Sequence, residues 1–146
     1  MFDFLKTKPD NPIYRVFSDL TANQKMSVIN LFLCISLSDP EEEFNQKELD
    51  YLSRYLDYLG LNKHRCNAYL DSGGEQKIID DLKTISQSQK EFLVIAVYEM
   101  LTSSGKTKDI KIYISTRIFA EIGVSEEKFT ATILKTQTLM KQFFNK

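Results

Sequence analysis

A dense group of carboxylates lies in SDPEEEFNQKE, residues 38–48. Five of its eleven residues are acidic: Asp39, Glu41, Glu42, Glu43 and Glu48. Hard cations such as Ca²⁺ bind several carboxylate and carbonyl oxygens. One hypothesis is therefore a divalent-cation site, whose ion (Ca²⁺, Mg²⁺ or Zn²⁺) the sequence does not distinguish. Its candidate ligands are Asp39, Glu41, Glu43 and Glu48.

Two other interpretations of this stretch stay open. The EF-hand template fails, because counting from Asp39 places Phe44 at the required glycine and Asp50 at the bidentate glutamate. Glu48 follows Asn45 by three residues, which predicts a capping box in a solvated turn. Alternatively, the acids attract a basic protein partner, since clustered charge steers association. The candidate contacts are Glu41, Glu42 and Glu43.

Two further groups of residues suggest binding. Tyr51, Tyr55 and Tyr58 recur at helical spacings of four and three. Tyrosine is enriched at interfaces, so this stripe either faces a partner or is a partly buried helix edge. Lys106, Lys108 and Lys111 form a basic loop that could bind an anion or phosphate weakly. The SSGKT motif in that loop lacks the earlier glycine of a phosphate-binding loop, because position 100 is methionine.

A catalytic set is not evident in the sequence. His64 is the single histidine, and Cys66 lies two residues away, so on a helix the two side chains point apart. One histidine and two distant cysteines do not make a zinc site without carboxylates. We therefore predict a non-enzymatic protein with no cofactor, apart from the divalent-cation alternative.

The composition is that of one ordinary globular domain. The chain has 146 residues, 42% of them hydrophobic and 27% charged, with a formal net charge of −1. This charge gives no general attraction to nucleic acid, and no apolar run approaches the roughly 20 residues that span a bilayer. Two isolated cysteines favour a reduced, cytoplasmic setting. We expect no nucleic-acid partner and no membrane insertion.

The periodicity predicts helices throughout the chain. Helix signals begin at Asn11-Pro12, Thr21, Asn45, residue 62, residue 75, Ser86 or Ser88, residue 109 and Ser125. Pro40 is expected to end the second helix, Gly60 the third and Gly123 the seventh, while Ser72-Gly73-Gly74 is a break. IKIYIS, residues 110–115, alternates briefly like a strand, but its flanks are helical.

An internal similarity divides the chain. Gln24-Lys25 aligns with Gln89-Lys90, Arg54 with Arg117 and Gly60 with Gly123. We therefore predict one all-α compact bundle of about seven or eight helices, built from two pseudo-repeated halves. Within the single domain 1–146, residues 1–20 are an N-terminal covering segment, 21–72 the first half and 75–146 the second half.

These features resemble the TerB-like family, which is named from tellurite resistance. The acidic pattern of that family, Asp-Gly-x-apolar-x-x-x-Glu, maps onto Asp39, Phe44 and Glu48, and the resemblance covers roughly residues 20–145. Pro40 stands where the glycine is expected, the loop before Phe44 has two extra residues, and Lys111 stands opposite Glu48 in the second half. The resemblance implies a helical bundle with a pseudo-repeat, divalent-metal binding on an acidic face, and a role in stress-response or interaction modules.

The function expected from these observations is a non-enzymatic, TerB-like module that mediates protein interaction in a stress-associated or other cytoplasmic context. Its expected partner is another protein. The alternatives are a divalent-metal-binding protein that uses loop 39–48 and a weak anion or phosphate binder that uses loop 104–111.

Overall fold

The computed structural model of the chain describes residues 12–42, 45–103, 105 and 108–144, and all their side chains except those of 12–14, 140, 143 and 144. Seven α-helices make up this described part: α1 (Pro12–Phe17), α2 (Ala22–Ser36), α3 (Gln46–Leu59), α4 (Lys63–Leu82), α5 (Gln87–Thr102), α6 (Asp109–Ile122) and α7 (Glu126–Phe144). None of these residues forms a strand, and 110–115 lie inside α6. The predicted all-α bundle is confirmed.

The central helix is α2. It packs against α3, α4, α5 and α6, and its buried residues cover most of its circumference, with Val28, Leu31 and Phe32 completely buried. Helix α5 contributes Leu93 and Val94 to the same core. A helix that is apolar nearly all round must be enclosed by other elements, which is why α2 lies at the centre of the bundle.

Helices α2 and α5 begin in the same way. Thr21 Oγ1 accepts a hydrogen bond from Gln24 N at 3.1 Å, and Gln24 Oε1 accepts one from Thr21 N at 2.9 Å. Ser86 and Gln89 form the corresponding pair at 3.1 and 2.9 Å. These are complete capping boxes, which satisfy backbone donors at each helix start.

The helices that follow also end alike. Helices α3 and α6 both have 14 residues, and each ends at a glycine in the left-handed region: Gly60 has φ 66° and Gly123 has φ 113°. Residues with a Cβ are disfavoured there. The two halves thus share the same N-terminal capping box and the same C-terminal glycine. Their relationship as repeats stays a prediction.

Two helix boundaries differ from the predicted ones. The expected break at 72–74 is a sharp kink at Gly74 (φ 64°, ψ −155°) inside the otherwise continuous span of α4. Helix α2 ends at Ser36, before Pro40, and Ser38 binds one of its last carbonyls. Both the backbone N and the Oγ of Ser38 donate to Ile35 O, at 3.2 and 2.6 Å.

The described part of the covering segment reaches the core, since Phe17 is completely buried and Leu20 nearly so. Residues 1–11, which include the predicted cap Asn11, lie outside the described part. Within the described ranges, every helix falls short of the length and apolar character that crossing a membrane requires.

Candidate functional site

The acidic loop and the start of α6 meet in one place. We use the name acid–lysine cluster for Asp39, Glu42, Glu48, Lys108 and Lys111. Lys111 Nζ lies 2.5 Å from Glu42 Oε1 and 2.9 Å from Glu48 Oε1. The Lys111 side chain is 1% exposed and that of Glu48 is 3% exposed. The cluster therefore joins the two halves through a buried ion pair.

Glu48 has a different role from the predicted one. Asn45 Oδ1 does accept a hydrogen bond from Glu48 N at 3.2 Å, which caps α3. The Glu48 carboxylate does not complete a capping box. It accepts hydrogen bonds from Ser36 Oγ at 2.8 Å and from Lys111 Nζ. The prediction of a full box is wrong, because the long-range partners hold the carboxylate away from its own helix start.

The outer part of the cluster centres on Asp39. Its Oδ1 accepts a hydrogen bond from Glu41 N at 3.0 Å, and its Oδ2 lies 3.2 Å from Lys108 Nζ. The backbone hydrogen bond from Glu41, followed by the contact with Lys108, lowers the pKa of Asp39. In return, the hydrogen bond to Asp39 raises the pKa of Lys108. Both groups are held in their charged forms.

Lys111 stays charged despite its burial. Burial works against the ammonium, but the hydrogen bonds and attraction of Glu42 and Glu48 outweigh it, so the pKa of Lys111 is raised. With three carboxylates against two ammonium groups, the cluster has a formal charge of −1. Two of the three carboxylate charges of the cluster are thus neutralised within the chain.

This arrangement bears on the metal hypothesis. Asp39 and Glu48 are engaged by lysines, Glu41 is exposed, and Glu43 lies outside the described residues. Among the residues that are described, no three His, Cys, Asp or Glu side chains are grouped so that they could hold a metal ion. The positive charge that a cation would supply comes here from Lys111.

Two of the three lysines in the anion hypothesis are paired with carboxylates. Lys111 is buried against Glu42 and Glu48, and Lys108 contacts Asp39 and Glu42. Lys106 lies outside the described part. Lys108 and Lys111 are thus paired with carboxylates 60 to 70 residues earlier in the chain, and anion binding by this loop stays a prediction.

The acidic surface predicted for a basic partner is also reduced. Glu42 is partly buried and paired with both lysines, so of the described acids Glu41 alone is fully exposed in this loop. A free cluster of like charge was the physical reason for expecting such a partner. The ion pairs with Lys108 and Lys111 offset two of the five acidic charges in 38–48.

The tyrosine stripe of α3 faces inward at its centre. Tyr55 is 3% exposed and packs edge-on against Phe32, with ring centroids 4.8 Å apart. Tyr51 stacks on Tyr55 and donates a hydrogen bond from its hydroxyl to Glu99 Oε2 at 3.0 Å. Burial raises the pKa of Tyr55 to about 12. Tyr55 thus belongs to the core, while Tyr51 and Tyr58 form a partly buried edge.

The leucine stripe of α3, formed by Leu49, Leu52 and Leu56, lines a groove that the sequence did not predict. Helices α3 and α4 both pack on α2, and an apolar groove of about 410 Å³ lies between them. Its apolar lining consists of Ile29, Leu33, Leu49, Leu52, Leu56 and Cys66. Its polar lining consists of Gln46, Ser53, Lys63 and Asn67.

The signal for this groove was present in the sequence as two apolar stripes on one helix. A helix with leucines on one side and tyrosines on another can bury only part of both. Here the tyrosine side meets Phe32 and α5, so Leu49 and Leu56 stay partly exposed at the groove. Lys63 is the single charged residue among the lining residues.

Comparisons with known proteins found no match. No family model matches the chain, and no curated protein or solved structure matches it either. The resemblance to the TerB-like family is not tested by these comparisons and stays a prediction.

Proposed function

We propose that the protein is a non-enzymatic, TerB-like interaction module that binds a helical segment of another protein in a cytoplasmic, stress-associated context. The observation that carries the proposal is the apolar groove between α3 and α4. Amphipathic helices dock in such grooves by inserting apolar side chains spaced along one face.

The lining of the groove supports this proposal. Its floor is formed by Ile29, Leu52 and Cys66, all of which are buried, and its sides by Leu49 and Leu56, which are partly exposed. A partner would remove these exposed leucine surfaces from water, and burial of apolar area favours association. The polar residues at the rim would stay hydrated.

Lys63 indicates the charge of the partner. Its side chain lines the groove, and within the described part of the chain it forms no ion pair. A carboxylate next to the apolar anchors of the partner would complement this ammonium and help fix the orientation of the helix. The expected ligand is therefore an amphipathic helix with aliphatic or aromatic anchors and an Asp or Glu beside them.

A display library of amphipathic helical peptides provides the test, with the wild-type protein as bait. Ser53→Arg is the blocking variant, because Ser53 is exposed and lines the groove. The larger side chain would occupy the groove opening without removing core atoms. Ser88→Arg is the matched control, an exposed serine outside the groove.

Selected peptides should carry apolar residues at i, i+3 or i+4, and i+7, together with an acid. Ser53→Arg and Lys63→Glu should each weaken their binding at least tenfold, whereas Ser88→Arg should not. Thermal unfolding of each variant verifies that it is folded. Enrichment of no peptide, or equal binding to Ser53→Arg and wild type, would overturn the proposal.

A further inference from the structure

Helix α7 presents an exposed stripe on the side away from the core. Its inner side packs on α5 and α6, with Phe129 buried and Gln137 Nε2 donating to Tyr98 Oη at 2.7 Å. The stripe on the outer side is exposed and follows the helical repeat. It consists of Glu127, Thr130, Ala131, Leu134, Thr138 and Lys141.

Leu134 lies at the centre of this stripe and is 56% exposed. Its neighbours along the stripe, Thr130, Ala131 and Thr138, are small. Small side chains around a central leucine allow another helix to approach closely, at about 8 to 10 Å between axes. The stripe is thus shaped to pack against a helix.

The charges of the stripe are arranged symmetrically around Leu134. Glu127 lies seven residues before it and Lys141 seven residues after it. This places the two charges about 10 Å from Leu134 in opposite directions along the helix. Neither Glu127 nor Lys141 forms an ion pair with any residue that the structure describes.

We propose that this stripe binds the same stripe of a second copy of the chain, in an antiparallel arrangement with a two-fold axis at Leu134. Each Glu127 then faces Lys141 of the other copy, and the two Leu134 side chains meet at the axis. A two-fold interface is self-complementary by construction, and the stripe has that property. Antiparallel packing also sets the helix dipoles in opposite directions.

This inference goes beyond the proposed function, because α7 contributes no residue to the groove between α3 and α4. One 19-residue helix offers a small contact area, so the dimer is expected to be weak and reversible. Two exposed ion pairs should also make it weaker at high salt.

Sedimentation of the full chain from micromolar to millimolar concentration tests the proposal. Glu127→Lys and Lys141→Glu should each weaken the dimer at least tenfold, because each change sets like charges opposite one another. The double variant Glu127→Lys/Lys141→Glu should restore wild-type association. Leu134→Glu should abolish it, since two carboxylates would meet at the axis.

The matched controls are Glu121→Lys and Lys83→Glu, which make the same charge changes at exposed positions on α6 and just after α4. Both should leave the dimer unchanged. A chain that stays monomeric at millimolar concentration would overturn the proposal. So would a dimer that neither single variant weakens, or a double variant that fails to recover. Ser53→Arg should not alter dimerisation, which separates this test from that of the groove.

Discussion

Lys111 Nζ lies 2.9 Å from Glu48 Oε1, and the two side chains are only 1% and 3% exposed. The pair joins the first turn of α3 to the first turn of α6, 63 residues apart in the chain. Charges removed from water in this way are stable only with good geometry and further hydrogen bonds. Ser36 and Glu42 supply those additional contacts.

Removing the Lys111 ammonium should destabilise the fold strongly. Lys111→Met leaves Glu42 and Glu48 close together without a counter-charge, and breaking a buried ion pair from one side costs about 3–5 kcal/mol. The free energy of unfolding, measured with urea, should fall by that amount. The double variant Lys111→Met/Glu48→Gln should recover part of the loss, because it also removes the unpaired buried charge.

Lys108→Met is the control for this prediction. Its side chain is 45% exposed, so solvent replaces its contacts and the loss should be much smaller than for Lys111→Met. Equal losses in the two variants would mean that the burial of Lys111 has no energetic consequence.

The cluster should also give stability a defined dependence on pH. The pKa of Asp39 is lowered from 3.8, so its contribution is present above pH 3.8 and is lost as the pH falls through the lowered value. The pKa of Lys111 is raised from 10.5, so its contribution is present below pH 10.5 and is lost as the pH rises through the raised value.

Midpoints of urea unfolding, measured as a function of pH, test both predictions. Asp39→Asn should reduce the loss of stability at acid pH, and Lys111→Met should reduce the loss of stability at alkaline pH. Between pH 3.8 and pH 10.5 these two groups should leave stability constant. If Asp39→Asn leaves the loss of stability at acid pH unchanged, other carboxylates control that loss.

Divalent cations should not stabilise the wild-type protein. After treatment with a chelator, titration with Ca²⁺, Mg²⁺, Mn²⁺ or Zn²⁺ at physiological salt should leave the melting temperature unchanged, because lysines already pair with Asp39, Glu42 and Glu48. A ligand that binds only the folded state would raise the melting temperature in proportion to its affinity. A saturable rise with one cation, lost in Asp39→Asn, would restore the metal hypothesis.

The start of α5 offers a prediction with a neighbouring control. Ser86 Oγ accepts from Gln89 N, so Ser86→Ala should lower the free energy of unfolding by about 1 kcal/mol. Ser88→Ala should change it by less than about 0.5 kcal/mol, because that serine is exposed and is not the cap. Equal effects in denaturant unfolding would contradict the assignment of the cap to Ser86.

The sequence by itself determined several of the points where helices begin and end. Thr21, Gly60, Ser86 and Gly123 act on backbone groups within a few residues of themselves, so their signals are local and readable. The apolar character of α2 likewise determined its central place, because such a helix has no side suited to water. The helical bundle follows from these local signals.

The tertiary structure decided which charges meet and which side of α3 is buried. Nothing near Glu48 in the chain indicates that its carboxylate binds Lys111 rather than its own helix start, since the competing partner comes from the other half. The choice between the tyrosine and leucine sides of α3 depends on how Phe32 and α5 pack against it. Contacts between residues far apart in sequence require the assembled core, and they therefore determine the cluster and the groove.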